Sequence, residues 1–181
     1  TTGRDPHNSH GVINPTVYHA STILYPTVAA LHARDAAVTY GRRGTPTPFA
    51  FQDAVAELEG GYRSPVTTSG LSACSIALLA QLQAGYHVLV TDSVYGPTRA
   101  FCDIVLKRYA IDVEYYAPTI GAGIANLLKP ETTVVFAEAP GSQTFEMQDI
   151  PALAKAAHSA GALLIMDNTW ASPLFCQPFE L

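Results

Sequence analysis

The sequence is short of charge. Asp, Glu, Lys and Arg together make up 14% of its 181 residues, and lysine stands only at Lys107, Lys129 and Lys155. The ten basic residues are scattered, and the net charge is −5. That excludes a basic stripe for nucleic acid and a basic helix for an anionic membrane surface. No apolar run reaches the length that spans a bilayer. Cys74, Cys102 and Cys176 are odd in number and far apart. They form no zinc or redox pair, so the expectation is no metal and reduced thiols in a cytoplasm. The first twenty residues are polar, with Pro and His, unlike a signal peptide. A closing element after Glu180-Leu181 and a leading Met are also missing, so a trimmed or incomplete chain is expected. What is plentiful is apolar residue, 48% of the chain, which suits a well-buried α/β protein.

Residues 1–25 read as an extended arm, punctuated by Pro6, Gly11 and Pro15, that packs on another surface. A short helix is expected over 27–37, a loop over 39–48, and a helix over 49–59 ended by Gly60-Gly61. Phe51, Val55 and Leu58 mark one apolar face of that second helix. From Ser64 a strand–helix rhythm sets in. Strands are expected at 65–68, 87–90, 112–116, 133–137 and 162–166, with helices over 71–82, 98–109, 124–128 and 151–159 between them. That alternation predicts right-handed βαβ units in a mostly parallel sheet with helices on both faces. The expected division is 1–48 for the arm and its loop, and 49–181 for the α/β domain.

In such a sheet the strand-to-helix turns share one edge, where ligands bind. Those turns read Ser69-Gly70-Leu71, Asp92 to Gly96, Glu138 to Ser142, and Asp167-Asn168-Thr169. Leu163 to Met166 is an apolar run of the kind buried on both faces, and it delivers Asp167 to that edge. Asp167 either caps the next turn or meets a cation or strong donor there. Ser69-Gly70 either caps an ordinary helix or offers free N–H groups to a phosphate. It has neither the Lys of a P-loop nor the three glycines of a dinucleotide fingerprint. Tyr95 either packs under its loop or presents a flat face to the crevice. The Tyr40–Arg42 loop is either solvated or a phosphate or carboxylate site. A phosphate at a helix start, an aromatic face and a carboxylate for a ring nitrogen together describe a pyridoxal 5′-phosphate site. The lysine such a site needs is absent from the crevice turns.

These stretches carry a resemblance. Tyr40 to Thr45, Glu57 to Gly61, Ser69 to Ala73, Tyr95 to Thr98, Glu138 to Ser142 and Asp167 to Trp170 resemble, in order, the Cys/Met-metabolism family of fold-type-I pyridoxal-phosphate enzymes. Gly141-Ser142-Gln143 and Trp170 resemble its bacterial beta-lyase branch. The resemblance implies that Gly70 and Leu71 bind the cofactor phosphate through backbone N–H groups. It implies that Tyr40 and Arg42 reach the phosphate of a neighbouring subunit. Tyr95 would stack on the pyridine ring and handle protons of the substrate amine. Asp167 would pair with the ring nitrogen, with Thr169 close by. The implied activity of the whole protein is carbon–sulfur lysis of cystathionine to homocysteine, pyruvate and ammonia, in a cytoplasmic homo-oligomer of shared sites, a dimer or tetramer. A gamma-synthase or sulfhydrylase, or a partner-binding fragment without activity, are the rivals. By the same resemblance the lysine follows Leu181, a C-terminal domain is missing, and this piece is inert alone.

Overall fold

The structure, a computed structural model, describes residues 2–181. Thr1, the first residue of the expected arm, lies outside them. The chain forms two compact units, one ending at Val66 and the other running Thr67–Leu181.

In the first unit the arm has no regular element before helix α1, Val28–Ala33. Thr27 caps α1, accepting from the Ala30 N–H at 3.1 Å. Arg34, at φ 50°, ends it earlier than expected. Helix α2, Pro46–Glu59, also starts earlier, because Pro46 is the first helical residue. Pro fits there, where its missing N–H costs nothing. The expected 48/49 division therefore falls inside α2. Gly60 stops α2 in the left-handed conformation, at φ 70°. The arm returns to the start of α2: the Tyr18 N–H donates to Thr47 Oγ1 at 2.9 Å, and that hydroxyl donates to the Thr16 carbonyl at 2.7 Å. The apolar face expected of α2 is not buried within this unit, where Phe51 and Leu58 are exposed.

The second unit holds the sheet: β1 His87–Thr91, β2 Asp112–Tyr116, β3 Thr132–Glu138 and β4 Leu163–Asp167. The order is β2-β1-β3-β4 and every pairing is parallel. Helix α3, Gly70–Leu79, precedes β1. Helix α4, Gly96–Phe101, continues into a π-helical turn, Cys102–Leu106, before β2. Helix α5, Ile150–Ser159, joins β3 to β4, and a short α6, Ser172–Phe175, follows. Asp149 caps α5 by accepting from the Ala152 N–H at 3.0 Å.

The period-two rule divides the core cleanly. Val88 and Val90 of β1 and Val134 and Phe136 of β3 pack with Leu78, Leu82, Cys102 and Leu106 on one face. Leu89, Val135 and Ala137 pack with Tyr116, Ile124, Ile150, Leu153 and Ala157 on the other. Helices on both faces of a parallel sheet are what the strand–helix rhythm predicts. Three local expectations fail, the first being the helix expected over 124–128, which is a 3₁₀ helix over Gly121–Asn126. Residues 65–68 pair with nothing and form no strand. Thr67 instead donates its hydroxyl to the Ser69 carbonyl at 2.9 Å, shaping the entry to α3. β4 is not buried on both faces: it is an edge strand of this sheet, and Leu163 is 46% exposed.

The other edge of the sheet, where the strands begin, has its own polar cluster. His87 is 1% exposed at the start of β1. Its Nδ1 lies 2.7 Å from Thr132 Oγ1, and its Nε2 lies 3.3 Å from Glu114 Oε2 and 4.0 Å from Asp112 Oδ2. Lys129 Nζ bonds both carboxylates, at 3.1 and 2.8 Å. Burial, then the Lys129 charge, hold the His87 pKa below its ordinary value, while Asp112 and Glu114 pull the other way. The fold thus prefers a neutral ring. Above the unfolded value of about 6.5 that preference costs nothing, and stability is lost as the pH falls toward the lower folded value. The melting temperature of the full-length protein is expected to fall between pH 7 and 5. His87→Gln should flatten that segment, and an unchanged slope in the variant would remove His87 as its source.

Candidate active site

All four strands end at one edge. Glu138 and Asp167 are the last residues of β3 and β4 and are register neighbours. Two carboxylates therefore stand side by side where the sheet opens.

Asp167 is partly buried and well held. The Thr169 N–H donates to its Oδ1 at 3.0 Å, and the Thr169 hydroxyl donates to the same oxygen at 2.5 Å. Oδ2 lies 3.5 Å from the Cys74 thiol, on α3. Three donors, two from Thr169 in the turn after β4 and one from Cys74 on α3, hold the carboxylate at the end of β4. The Cys74 thiol is pushed up to about 12, first by burial and then by the Asp167 charge, so it stays protonated and can donate.

Cys74 also ties α3 to β4, and α3 brings the Gly70 turn with it. Ser69 Oγ accepts the Ser72 N–H at 3.1 Å. The Ala73 N–H bonds the Ser69 carbonyl at 3.0 Å. The first two N–H groups of the helix, on Gly70 and Leu71, have no acceptor among the described residues. A Cβ built on Gly70 would meet nothing within 4 Å, so the space over this helix start is open. Free N–H groups at the positive end of a ten-residue helix suit an anion.

Tyr95 sits just before α4 and is 47% exposed. Its N–H donates to Glu138 Oε2 at 2.7 Å. Glu138 itself is 4% exposed. Burial raises its pKa; the Tyr95 N–H opposes that and the Asp167 charge adds to it. A raised carboxyl stabilises the fold only at acid pH, and that contribution is lost as the pH rises through its folded value. At neutral pH the buried charge costs stability. Behind it runs a buried hydrogen-bond chain: Tyr116 OH donates to Gln148 Oε1 at 2.9 Å, and Gln148 Nε2 donates to the Glu138 carbonyl at 2.8 Å and to Thr91 Oγ1 at 3.2 Å. The β3 loop closes on the β1 loop through the Ser142 N–H, which donates to the Ser93 carbonyl at 2.8 Å. A side chain on Gly141 would collide with Ser93, its Cβ falling 2.7 Å from that of Ser93. Glycine is required for this approach.

Of the residues singled out in the sequence, the structure gathers Gly70, Leu71, Asp167 and Thr169 through the Cys74 tie, and Tyr95 through Glu138. Tyr40 and Arg42 lie in the first unit, on a 3₁₀ turn over Gly41–Arg43, with exposed side chains. Gly41 there is pinned by its N–H to the Ser21 carbonyl at 2.7 Å. Sequence reasoning passed over Cys74, which reads as a small core residue, and placed Glu138 at the crevice edge without giving it a role. The signal for Glu138 was available: two adjacent parallel strands each end in a carboxylate.

The Cys/Met metabolism PLP-dependent enzyme family matches residues 1–181. The chain is 53% identical over 178 residues to a Rhizobium johnstonii protein named "Putative cystathionine beta-lyase", covering 98% of this chain and 45% of that protein. It is 39% identical over 185 residues to the cystathionine beta-lyase of Haemophilus influenzae, covering 98% of this chain and 47% of that protein. The crystal structure of metB from Corynebacterium glutamicum superposes with a TM-score of 0.92 at 28% identity, over 99% of this chain and 46% of that one. The chain spans about half the length of the curated relatives it matches.

Proposed function

The chain belongs to the Cys/Met metabolism family of pyridoxal-phosphate-dependent enzymes, and on that premise we propose that the full-length protein is a carbon–sulfur lyase that cleaves cystathionine to homocysteine, pyruvate and ammonia. The residues present fit the cofactor. Gly70 and Leu71 offer two unpaired N–H groups to its phosphate, and Asp167 offers a fixed anion to its ring nitrogen. The bound cofactor supplies an electron-withdrawing ring that weakens bonds at the substrate α-carbon. The chain's own residues bind and orient. Asp167 would pair with the ring nitrogen and keep it protonated, Thr169 holds Asp167 in place, and Tyr95 would lie against the ring and serve as proton carrier for the substrate amine. Tyr40 and Arg42 bind the phosphate of a neighbouring subunit. The observation that carries this reading is the Asp167 carboxylate, fixed by donors from Thr169 and Cys74 at the mouth of the sheet.

The proposed setting is a cytoplasmic homo-oligomer, a dimer or tetramer, in methionine metabolism. Unpaired cysteines support the reducing compartment. Light scattering on the full-length protein tests the assembly, and a monomer carrying bound cofactor and full turnover would end the shared-site reading. Cell fractionation tests the compartment. The activity itself is tested by product analysis. The full-length enzyme given cystathionine alone is expected to release pyruvate and homocysteine in equal amounts. No release from cystathionine, with thioether formation from a thiol and an O-acyl-homoserine, would replace the lyase with a transferase.

A further inference from the structure

We propose that Glu138 is a positioning residue for Tyr95: its buried carboxylate, by accepting the Tyr95 N–H, sets the attitude at which the Tyr95 ring meets the cofactor.

The fold keeps a carboxylate at this point at a cost. Glu138 is 4% exposed, and no cation lies within ion-pair distance of it among the described residues. Among the described residues its side chain has one hydrogen-bond partner, the Tyr95 N–H at 2.7 Å. A buried, unpaired carboxylate is a poor device for stability. It is a good device for fixing one backbone amide, since a charge-assisted bond is short and strong. Both ends of the bond are rigid. On the Glu138 side, Gln148 grips the carbonyl of the same residue and also Thr91, the last residue of β1. On the Tyr95 side, the loop is held by Ser142 at Ser93 and by Arg99, whose guanidinium donates to the Asp92 carbonyl at 2.9 Å. Tyr95 is the residue immediately before α4, so holding its amide also holds the Cα–Cβ direction from which the ring extends. The bond thus links the β3 carboxylate to the one aromatic ring that the β1 loop presents at the crevice.

The inference rests on the reading of Tyr95 as the residue over the cofactor ring, and the experiment separates the two. In full-length protein loaded with pyridoxal phosphate, three quantities are measured: visible circular dichroism per bound cofactor, cofactor dissociation constant, and melting temperature. Glu138→Met fills the same space without an acceptor. It is expected to weaken cofactor binding roughly tenfold, the scale of one lost charge-assisted bond, and to change the visible dichroism. Its melting temperature is expected to hold or rise, because a buried charge is gone. Glu138→Gln keeps an acceptor oxygen and should restore the dichroism. Combined with Tyr95→Ala, Glu138→Met should add less than twofold to the loss from Tyr95→Ala alone. A lowered melting temperature with normal dichroism, or losses that multiply in the double variant, would overturn the inference and leave Glu138 a loop tie. An effect of Tyr95→Ala with none from Glu138→Met overturns the inference alone. No change from Tyr95→Ala overturns the placement of Tyr95 and the inference together.

Discussion

A polypeptide of residues 1–181, purified by itself, is expected to release no pyruvate from cystathionine. The aldehyde of pyridoxal phosphate needs an amine held at the crevice, and none of the chain's lysines is there. Lys107 lies beyond the π-helical turn that follows α4 and bonds Asp103 at 2.9 Å, one turn back along the same helix. Lys129 bonds Asp112 and Glu114 at the start of β2, the opposite edge of the parallel sheet. Lys155 is exposed in the middle of α5. A strand of five residues spans roughly 17 Å, so Lys129 would have to travel at least the length of a strand, from the edge where strands begin to the edge where they end, to reach Asp167. The expected result is a rate no faster than free pyridoxal phosphate in buffer. The protein should be expressed in a host without its own cystathionine lyase, with pyruvate followed by a coupled assay. Turnover above the buffer rate would mean that a lysine moves to the crevice, and the site as described would be wrong.

The architecture was legible from the chain because its signals are local. β2 runs Asp112–Tyr116 as expected, bounded by a helix end and Ala117-Pro118. Ser69 and Asp149 cap the helices their positions suggest. Strands β1 and β3 differ from expectation by a residue at their ends, which the hydrophobic pattern cannot resolve. Failures came where pairing decides. Val66 and Thr67 look like a strand by residue type, but a strand exists only with a partner, and sequence reads composition rather than pairing. The apolar run of β4 suggested two buried faces, and burial depends on which strands lie beside it.

The site was legible in part for the same reason. Gly70, Asp167 and Glu138 announce themselves because each sits at a strand or helix end. What the sequence does not show is which partners they meet, because the Cys74–Asp167 and Tyr95–Glu138 contacts join residues 93 and 43 apart along the chain. Neither contact follows from periodicity. The Tyr95–Glu138 contact follows from the order β2-β1-β3-β4, which sets the loop after β1 beside the end of β3, and the Cys74–Asp167 contact from α3 meeting the end of β4.

The substitution Asp167→Asn in full-length protein is expected to lower kcat roughly a hundredfold or more, on the scale of removing one preorganised electrostatic partner. The argument is one of charge alone. Asparagine has the same size, and its carboxamide oxygen can still accept the Thr169 N–H and hydroxyl that now bond Oδ1. Its NH₂ group would face the Cys74 sulfur, a weak acceptor, so that contact survives in a poorer form. What disappears is the anion that favours a protonated pyridine nitrogen, and with it the ring's power to draw electrons from the substrate. Cofactor binding should suffer far less than turnover, since on the proposed reading the phosphate would meet the Gly70 and Leu71 N–H groups. Asp167→Glu keeps the charge and should fail through geometry, because one added methylene drives the carboxylate out of the Thr169 bonds. If Asp167 only caps the turn after β4, the outcome differs. Asparagine is as good a cap as aspartate, and kcat, cofactor affinity and melting temperature would all stay near wild type. Measuring those three on the Asn variant decides between a carboxylate that serves the chemistry and one that merely ends a strand.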